Sequence, residues 1–334
     1  MSDQQDRIKG ALYGQAIGDS LGLPGEFKSS TLLAKKYGKG EPNCYEAVDR
    51  KGMGGSWKPG EWSDDTEQAL AILDAYLDDG DIVPRTVAKK FTDWAQTNGR
   101  GMGNHTWNVI SDAHLLLDPI AVSEAVWEKS GRRSAPNGGV MRTSVVGILR
   151  PADLLWTERA AATVCRVTHA DPRCVASAVA ISVAIAVLVE GGGVESALDN
   201  ATARAQDYHS EINDYADMTL EQLQLDEGMD GPRKGRPPIG YTYKCAGAGL
   251  WALGEMGNLF KRRMRIGPPM FLSILQRVIR AGGDTDTNGA VAGAVLGAAM
   301  GFRNMDRLAM KPLVEGLQPR EELDSRLALL ETLP

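Results

Sequence analysis

The sequence is poor in cysteine and has no excess of positive charge. Its 334 residues include four cysteines, Cys44, Cys165, Cys174 and Cys245, and no two of them form a Cys-x-x-Cys pair. This pattern argues against a disulfide framework or a zinc site and favours reduced, mostly buried thiols. The formal net charge is -6, with both signs spread along the chain. Binding to nucleic acid through phosphate neutralisation is therefore not expected.

Long apolar runs are also lacking. Ile181 to Val189 is the longest, and it covers about half of the roughly 20 residues that a membrane-spanning helix needs. The opening residues, MSDQQDRIKG, contain no apolar signal region. We therefore expect a soluble, cytoplasmic protein that does not bind membranes. A hydrophobic content of 43% is enough for a large core.

Apolar residues recur with helical spacing through most of the chain, and no alternating series of strands is visible. Residues 64–80 place Leu70, Leu73 and Leu77 on one face and end at Gly80. Further helices are predicted over 86–96, 121–130 and 171–193. The predicted fold class is all-α.

The segment 213–240 is polar and ends in a cluster of glycine, proline and basic residues. This composition predicts a surface excursion. Because strong motifs lie on both sides of the segment, we do not interpret it as a domain boundary.

Two segments carry glycine at every fourth position. They are GALYGQAIGDSLG, with Gly10, Gly14, Gly18 and Gly22, and GAVAGAVLGAAMG, with Gly289, Gly293, Gly297 and Gly301. Glycine costs about 1 kcal/mol relative to alanine in a helix interior, so its repetition needs a reason. A spacing of four puts these glycines on one face, where another backbone can approach closely. Close packing of two buried helices is a sufficient reason, and it would also bring the residues at the helix ends together.

An acidic cluster opens each of two predicted helices. Each cluster supplies two carboxylates and a hydroxyl: Ser63, Asp64 and Asp65 in WSDDT, and Asp284, Asp286 and Thr287 in GGDTDT. Helix capping alone could explain either cluster. However, a cap needs one acceptor, and four carboxylates brought together would repel one another without a cation. Oxygen donors without nearby Cys or His suit Mg²⁺ or Mn²⁺ rather than zinc.

Taken in order, these motifs resemble those of the ADP-ribosylglycohydrolase family. GALYGQAIGDSLGLPGEF, WSDDT and GGDTDT match in order and rough spacing, from Gly10 to Gly301. The resemblance implies one compact, orthogonal all-α domain over residues 1–334, with two Mg²⁺ or Mn²⁺ ions at the base of an ADP-ribose cleft. It implies that Glu26, in GEF, lies on a mobile loop beside the metals. The metal ligands it implies are Ser63, Asp64, Asp65, Asp284, Asp286 and Thr287.

The same resemblance implies the residues of the cleft. RSAPNGGVMR resembles a glycine-rich loop that cradles the diphosphate, VTHADPR a nucleotide-contacting motif, GYTYKCAGAGLWAL a segment bordering the cleft, and GMGNHT a loop near the distal ribose. A glycine pair exposes backbone amides to a phosphate, although such a loop is also a common turn. Gly101 stands where certain arginine-directed relatives have an acidic residue. The substrate-binding residues implied are Asn104, Ser134, Asn137, Gly138, Met141, Arg142, His169 and Tyr241.

The implied activity is hydrolysis of the glycosidic bond between ADP-ribose and its target, with water attacking an oxocarbenium-like centre. Glu26 or Asp65 would handle the proton, and the sequence does not decide between them. We expect a monomer that acts on ADP-ribosylated protein or a small ADP-ribose conjugate and releases ADP-ribose.

The preferred linkage is ADP-ribosyl-arginine on protein. Linkages to serine, O-acetyl-ADP-ribose and a nucleobase are the alternatives. An inactive ADP-ribose-binding or structural relative, and a Mg²⁺ hydrolase of phosphate esters, are the rival classes of protein.

Overall fold

Helices make up most of the protein, which confirms the all-α prediction. The computed structural model describes residues 1–38, 40–50, 55–231, 238–262, 268–305, 307 and 310–332. The α-helices in these ranges are α1 (Asp3–Gly22), α2 (Ser30–Tyr37), α3 (Asp64–Asp79), α4 (Pro84–Thr97), α5 (Asn104–Ile110), α6 (Pro119–Lys129), α7 (Val146–Leu149), α8 (Leu154–Arg166), α9 (Pro172–Val189), α10 (Val194–Ala205), α11 (Ile212–Ala216), α12 (Leu220–Leu223), α13 (Thr242–Lys261), α14 (Pro268–Arg280), α15 (Thr285–Met300), α16 (Phe302–Met305), α17 (Lys311–Gly316) and α18 (Arg320–Leu330). Short 3₁₀ turns lie at Leu23–Gly25, Asn137–Gly139 and Thr143–Val145.

Short strands that the sequence did not predict form two antiparallel pairs in the described part of the chain. The strands are β1 (Lys28–Ser29), β2 (Val48–Arg50), β3 (Gly55–Trp57) and β4 (Gly282–Gly283). β1 pairs with β4, and β2 pairs with β3. Strands of two or three residues are too short to show the period of two that identifies a strand in a sequence. The β1–β4 pair holds the segment after Glu26 beside the residue that precedes Asp284.

The glycine faces of α1 and α15 pack against each other, with the two helices antiparallel. The facing pairs are Gly10 with Gly297, Gly14 with Gly293, and Gly18 with Gly289. A Cβ atom on Gly14 would lie 2.1 Å from the carbonyl oxygen of Gly293, closer than any side chain could fit. Gly301 differs from the prediction, because it follows the last turn of α15 with φ of +77° and lies beside Asp6. The C-terminus of α1 therefore meets the N-terminus of α15.

Helix α9 is the buried helix that the sequence predicts. By length and composition alone it could cross a membrane, but 89% of it is buried inside the fold. Together with α1, α13 and α14, it surrounds α15. Buried apolar side chains form a continuous cluster from Ala11 to Leu327. Three of the four free cysteines are buried, and Cys44 is exposed.

The segment 213–240 contains most of α11 and all of α12. Leu220 and Leu223 of α12 are buried, so part of this polar segment packs onto the core. The proline and basic residues at 232–237 lie outside the described residues. The one-domain organisation over residues 1–334 stays a prediction.

Candidate active site

Asp19 joins the glycine face of α1 to the start of α3. Its buried carboxylate accepts hydrogen bonds from the backbone N–H groups of Ser63 and Thr66, at 3.0 and 3.1 Å, and from the Thr66 hydroxyl at 2.6 Å. Burial raises the pKa of Asp19 to about 6, although these hydrogen bonds favour the charged form. Because Asp19 directly follows Gly18, the close approach of α1 to α15 also positions the N-terminus of α3.

The acidic pair at the start of α3 does not cap the helix. Ser63 is the N-cap, and its hydroxyl also donates to Asp65 Oδ2 at 2.9 Å. Asp64 Oδ2 accepts a hydrogen bond of 2.9 Å from the Gln68 side chain. Asp65 Oδ1 is buried and has no hydrogen-bond partner in the described part of the protein. A hydroxyl therefore provides the cap, and capping does not explain the two carboxylates.

The acidic pair at the start of α15 is not explained by capping either. Asp284 occupies the N-cap position without a capping hydrogen bond, and its Oδ2 instead accepts from Asn137 Nδ2 at 2.8 Å. Asp286 Oδ1 accepts from the N–H of Thr287 at 3.0 Å. The hydroxyl of Thr285 donates to the Gly22 carbonyl at 2.6 Å and fixes the start of α15 to the end of α1.

Glu26 completes the cluster from the opposite side. The neighbouring N–H of Phe27 donates to the carbonyl of Gly283 at 2.8 Å, in line with the β1–β4 pair. Carboxylate oxygens of Glu26, Asp284 and Asp286, one from each residue, lie within 4.8 Å of one another. Two ends of helices and one short strand pair thus bring predicted catalytic and metal-binding residues together.

Burial concentrates negative charge at this point. Desolvation raises the pKa values of Asp64, Asp65 and Asp286 well above the usual range. The charges of neighbouring carboxylates raise them further; Glu26 and Asp284 act on Asp286 in this way. Several charged carboxylates this close together repel one another, so a bound cation would stabilise their charged forms.

The donors in the cluster fit a hard divalent cation. They are carboxylate and hydroxyl oxygens, the ligand type that Mg²⁺ and Mn²⁺ prefer. The buried Asp65 Oδ1 without a hydrogen bond is the observation that most directly fits a ligand, because an unpaired buried oxygen otherwise costs stability. The raised pKa values of Asp65 and Asp286 likewise indicate that their charged forms would be stabilised by a bound cation.

A cavity of about 820 Å³ opens above the carboxylates, a volume typical of small-molecule sites. Most of the predicted site residues line it. These are Glu26, Asp64, Asp65, Asn104, Ser134, Asn137, Gly138, Met141, His169, Asp284, Asp286 and Thr287. Ser63, Arg142 and Tyr241 are not among the lining residues. Ser63 lies just beneath the cavity, and its hydroxyl donates a hydrogen bond to Asp65.

Arg142 lies behind the cavity wall and is fully buried. Its guanidinium donates to Gln68 Oε1 and to Thr168 Oγ1. Gln68 in turn binds Asp64, and Thr168 binds His169. Arg142 is fully buried, and its two terminal nitrogens bind groups on both sides of the cavity, an arrangement that suits a positioning role. Its predicted contact with the substrate stays a prediction.

His169 presents a hydrogen-bond donor to the cavity. Its Nδ1 lies 2.7 Å from Thr168 Oγ1 and 3.4 Å from the guanidinium of Arg142, so Nδ1 accepts and Nε2 carries the hydrogen. Burial lowers the pKa of His169 well below its usual value, which keeps the ring neutral. A Cβ on Gly138 would lie 2.9 Å from His169 Nε2. Glycine at this position therefore leaves Nε2 accessible.

Tyr241 supports the predicted phosphate loop from behind. The tyrosine is 7% exposed and precedes α13. On either side of it, Gly240 accepts from the Asn137 N–H at 2.9 Å and Thr242 donates to the Ala135 carbonyl at 3.1 Å. Tyr241 thus holds the loop through the backbone on either side of it, and its predicted contact with the ligand stays a prediction.

The loop of residues 101–104, with the sequence GMGN, forms another wall of the cavity. Gly101 has φ of +84°, and a Cβ on it would lie 2.6 Å from Asp64 Oδ1. The left-handed backbone conformation and the nearby Asp64 carboxylate both disfavour an acidic residue at position 101. Asn104 begins α5 and lines the cavity as predicted.

Sequence reasoning missed Asp19, Gln68 and His105. Asp19 could have been noticed as a charged residue between two glycines of the repeat in α1. Gln68 follows Asp64 by four residues on one helix face, which predicts a side-chain contact. His105 follows Asn104, and its Nδ1 lies 3.2 Å from Ser134 Oγ.

Comparisons with known proteins show which family and fold this chain resembles. A family model described as ADP-ribosylglycohydrolase matches residues 1–333. A solved structure described as an ADP-ribosylglycohydrolase-related protein complex is 25% identical, with a TM-score of 0.66, and the match covers 99% of this chain and 98% of that one.

Three relatives from other organisms match over most of the chain. The ADP-ribosyl-[dinitrogen reductase] glycohydrolase of Rhodospirillum rubrum is 26% identical, covering 97% of this chain and 96% of the relative. The ADP-ribosylarginine hydrolase of Serratia proteamaculans is 23% identical, covering 94% and 77%. An ADP-ribosylhydrolase of Danio rerio is 26% identical, covering 98% and 91%.

Proposed function

Because the chain belongs to the ADP-ribosylglycohydrolase family, whose members hydrolyse ADP-ribose linkages, we propose that it cleaves the bond between ADP-ribose and arginine on modified proteins. The observation that carries this proposal is the carboxylate cluster at the base of the cavity, where Glu26, Asp284 and Asp286 converge. The competing linkages are those to serine, O-acetyl-ADP-ribose and a nucleobase. We also place the protein in the cytoplasm, which its four free cysteines support.

Two Mg²⁺ or Mn²⁺ ions are the proposed cofactors. Their ligands would be Ser63, Asp64, Asp65, Asp284, Asp286 and Thr287. The unpaired Asp65 Oδ1 and the mutual charge repulsion of the carboxylates support this assignment. Such ions, when bound, supply Lewis-acid stabilisation and lower the pKa of bound water.

Glu26 is the proposed general base, and Asp65 is assigned to the metal. Glu26 is half-buried on the cavity side, whereas Asp65 is 2% exposed and one of its oxygens accepts the Ser63 hydroxyl. A base must reach water and release its proton again, which a partly exposed carboxylate does more readily. Glu26→Gln should abolish turnover while Mg²⁺ still binds, whereas Asp65→Asn should weaken Mg²⁺ binding. Loss of Mg²⁺ binding in both variants would contradict this division of roles.

The hydrogen-bond donors of the cavity support one orientation of the ligand. His169 Nε2–H and the turn at Asn137–Gly139 form a donor-rich wall suited to a diphosphate. Asn137 also donates to Asp284, so this wall adjoins the carboxylates. A diphosphate at the loop places the distal ribose, whose hydroxyls are donors, over the acidic floor.

The arginine linkage is supported by charge and by the relatives. With two Mg²⁺ ions offsetting the charges of the four aspartates, Glu26 still supplies a negative charge that attracts a guanidinium group leaving from the ribose. The relative from Serratia proteamaculans is named for ADP-ribosylarginine. This attraction does not require an acidic residue at position 101.

A panel of linkages tests the proposal. Arginine, serine, O-acetyl and nucleobase conjugates of ADP-ribose are compared by kcat/KM at one Mg²⁺ concentration, with Glu26→Gln as the inactive control. We expect the arginine conjugate to be cleaved about tenfold faster or more, a difference of about 1.4 kcal/mol in the barrier.

Three other results would contradict parts of the proposal. Cleavage of another conjugate but not of the arginine conjugate would contradict the arginine linkage, while the assignment as an ADP-ribosylhydrolase would stand. Binding of ADP-ribose without cleavage of any conjugate identifies an inactive relative. Release of phosphate from a phosphate ester at a comparable rate would favour the rival hydrolase class.

A further inference from the structure

His105 and Ser134 line the cavity from two different segments, and their side chains form a hydrogen bond with each other. His105 lies in α5, and Ser134 opens the glycine-rich loop. His105 Nδ1 and Ser134 Oγ are 3.2 Å apart. Neither nitrogen of the ring is free, because Nε2 lies 2.9 Å from the carbonyl oxygen of Thr168.

These two contacts decide which nitrogen carries the hydrogen. A backbone carbonyl oxygen only accepts, so His105 Nε2 must donate to Thr168. In the neutral ring Nδ1 then has no hydrogen and can only accept, so the hydroxyl of Ser134 donates to it. Ser134 therefore directs only oxygen lone pairs towards the cavity.

This arrangement conflicts with a bound diphosphate. Phosphate oxygens are acceptors, and the Ser134 oxygen in this state is also an acceptor. Two acceptors within contact distance repel each other unless a hydrogen lies between them. The conflict disappears if a second hydrogen is added to His105, because Nδ1 then donates to Ser134 and the hydroxyl is free to donate to the ligand.

We propose that His105 takes up a proton at Nδ1 when a diphosphate binds the 134–138 loop, and that this proton sets Ser134 to donate. The proton comes from solvent, no covalent bond between heavy atoms changes, and both hydrogen bonds of the ring are kept. His105 is thus a positioning residue for Ser134. The inference rests on the proposed function, since it takes ADP-ribose as the ligand.

The charged groups around His105 favour the neutral ring before binding. Burial lowers the pKa of His105 and the charge of Arg142 lowers it further, while the Thr168 carbonyl and the charge of Asp171 oppose this. The ring of His169 lies 4.6 Å away and is itself neutral.

Lys129 and Asp112, from two other segments, also line the cavity. Lys129 contributes a positive charge and Asp112 a negative charge to the cavity lining. A diphosphate adds two negative charges beside the loop and raises the pKa of His105 on binding.

The sign of the pH dependence follows from linkage. A group whose pKa rises on binding strengthens the complex below its free pKa, and this gain is lost as the pH rises through its bound pKa. Affinity for ADP-ribose should therefore fall by up to about tenfold per pH unit in that interval, and proton uptake should be a fraction of one proton.

Titration calorimetry measures this uptake directly. ADP-ribose is titrated into the Mg²⁺-saturated protein in buffers with different ionisation enthalpies. A diphosphate diester stays fully ionised near neutral pH, so any uptake belongs to the protein. Adenosine, which lacks the diphosphate, serves as the ligand control and should show no uptake.

Matched variants assign the uptake to one ring. His105→Gln should lose both the uptake and the pH dependence of affinity. His114→Gln should retain both, because the His114 side chain is 76% exposed and lies outside the cavity lining. Ser134→Ala should bind more weakly and lose most of the uptake.

Side-chain nitrogen NMR on the unmodified protein provides a test without variants. The free protein should show His105 hydrogenated at Nε2 only, and the complex should show both nitrogens hydrogenated.

The outcomes separate this inference from the proposed function. Binding of ADP-ribose with no proton uptake, with unchanged uptake in His105→Gln, or with a neutral His105 ring in the complex would overturn the inference alone. Failure of ADP-ribose to bind the protein at all would overturn the proposed function as well.

Discussion

Replacement of Gly14 by alanine tests whether the close approach of α1 and α15 builds the site. The added Cβ would lie 2.1 Å from the Gly293 carbonyl oxygen and 2.9 Å from its carbonyl carbon. Both atoms belong to the backbone of a buried helix, so no side chain can move aside. The two helices would have to separate by about 1 Å to restore an ordinary contact.

The stability effect has two opposing parts. Overpacking of this kind costs about 1–3 kcal/mol. Alanine recovers up to about 1 kcal/mol through its higher helix propensity. We expect a net loss of about 1–2 kcal/mol, seen as a Tm lower by a few degrees.

The effect on activity should be larger than the effect on stability. The carboxylates lie at the ends of the two helices, Asp19 on α1 and Asp286 on α15. A misplacement of about 1 Å can reduce a rate by about 100-fold. We therefore expect kcat/KM to fall by up to about 100-fold, and Mg²⁺ to bind more weakly, at temperatures where Gly14→Ala is fully folded.

Gly254→Ala is the matched control, because Gly254 lies inside α13 and the nearest atom to an added Cβ is 3.9 Å away. It should be neutral or stabilising by up to about 1 kcal/mol, with unchanged activity. Thermal unfolding and the ADP-ribosylarginine assay are run on both variants. Equal Tm values and equal activities for Gly14→Ala and the unmodified protein would refute the reasoning.

Three further predictions follow from the site. In chelator, Tm should rise as the pH is lowered through the raised pKa values of Asp64, Asp65 and Asp286, because the stability gained from their proton uptake is lost as the pH rises through those values. Saturating Mg²⁺ should flatten this dependence, and equal slopes with and without Mg²⁺ would contradict it. Gly101→Asp should lower activity, because residue 101 has a φ of +84° and lies close to Asp64. The control Gly103→Ala, where an added Cβ has open space, should leave folding unchanged. A Gly101→Asp variant more active than the unmodified protein would contradict the geometry. Arg142→Met should lower stability by about 1–3 kcal/mol, since the buried oxygens of Gln68 and Thr168 lose their donor, and Arg142→Lys should not restore it. Unchanged unfolding of Arg142→Met would place the guanidinium outside this network.

The parts of the fold that the sequence predicts are those with a visible period. Helical spacing located α3 and α9, and glycine at every fourth position predicted the contact between α1 and α15. The acidic clusters could be located because helix starts accumulate Ser, Thr and Asp, and because each cluster exceeded what a cap needs. The glycine contact brings only the α15 cluster to α1, and Asp19 of α1 then binds the start of α3, which carries the other cluster.

The parts that the sequence could not predict depend on side-chain direction. Arg142 and Met141 are adjacent, yet one is buried behind the cavity and the other lines it. A motif gives the order of residues in a loop but not which of them turn inwards. A fully buried arginine is also rare, so burial was not the expected state. Asp19 escaped notice because its partners, Ser63 and Thr66, are distant in sequence.

Crystals soaked in Mn²⁺ and measured for anomalous scattering test the central claim most directly, namely that the meeting of α1, α3 and α15 creates a divalent-cation site at the base of the cavity. The account predicts anomalous peaks within ligand distance of the carboxylates of Asp65, Asp284 and Asp286, and their loss in Asp286→Asn. The absence of any peak among these carboxylates at saturating Mn²⁺, in a protein that still hydrolyses ADP-ribosylarginine in chelator, would contradict it.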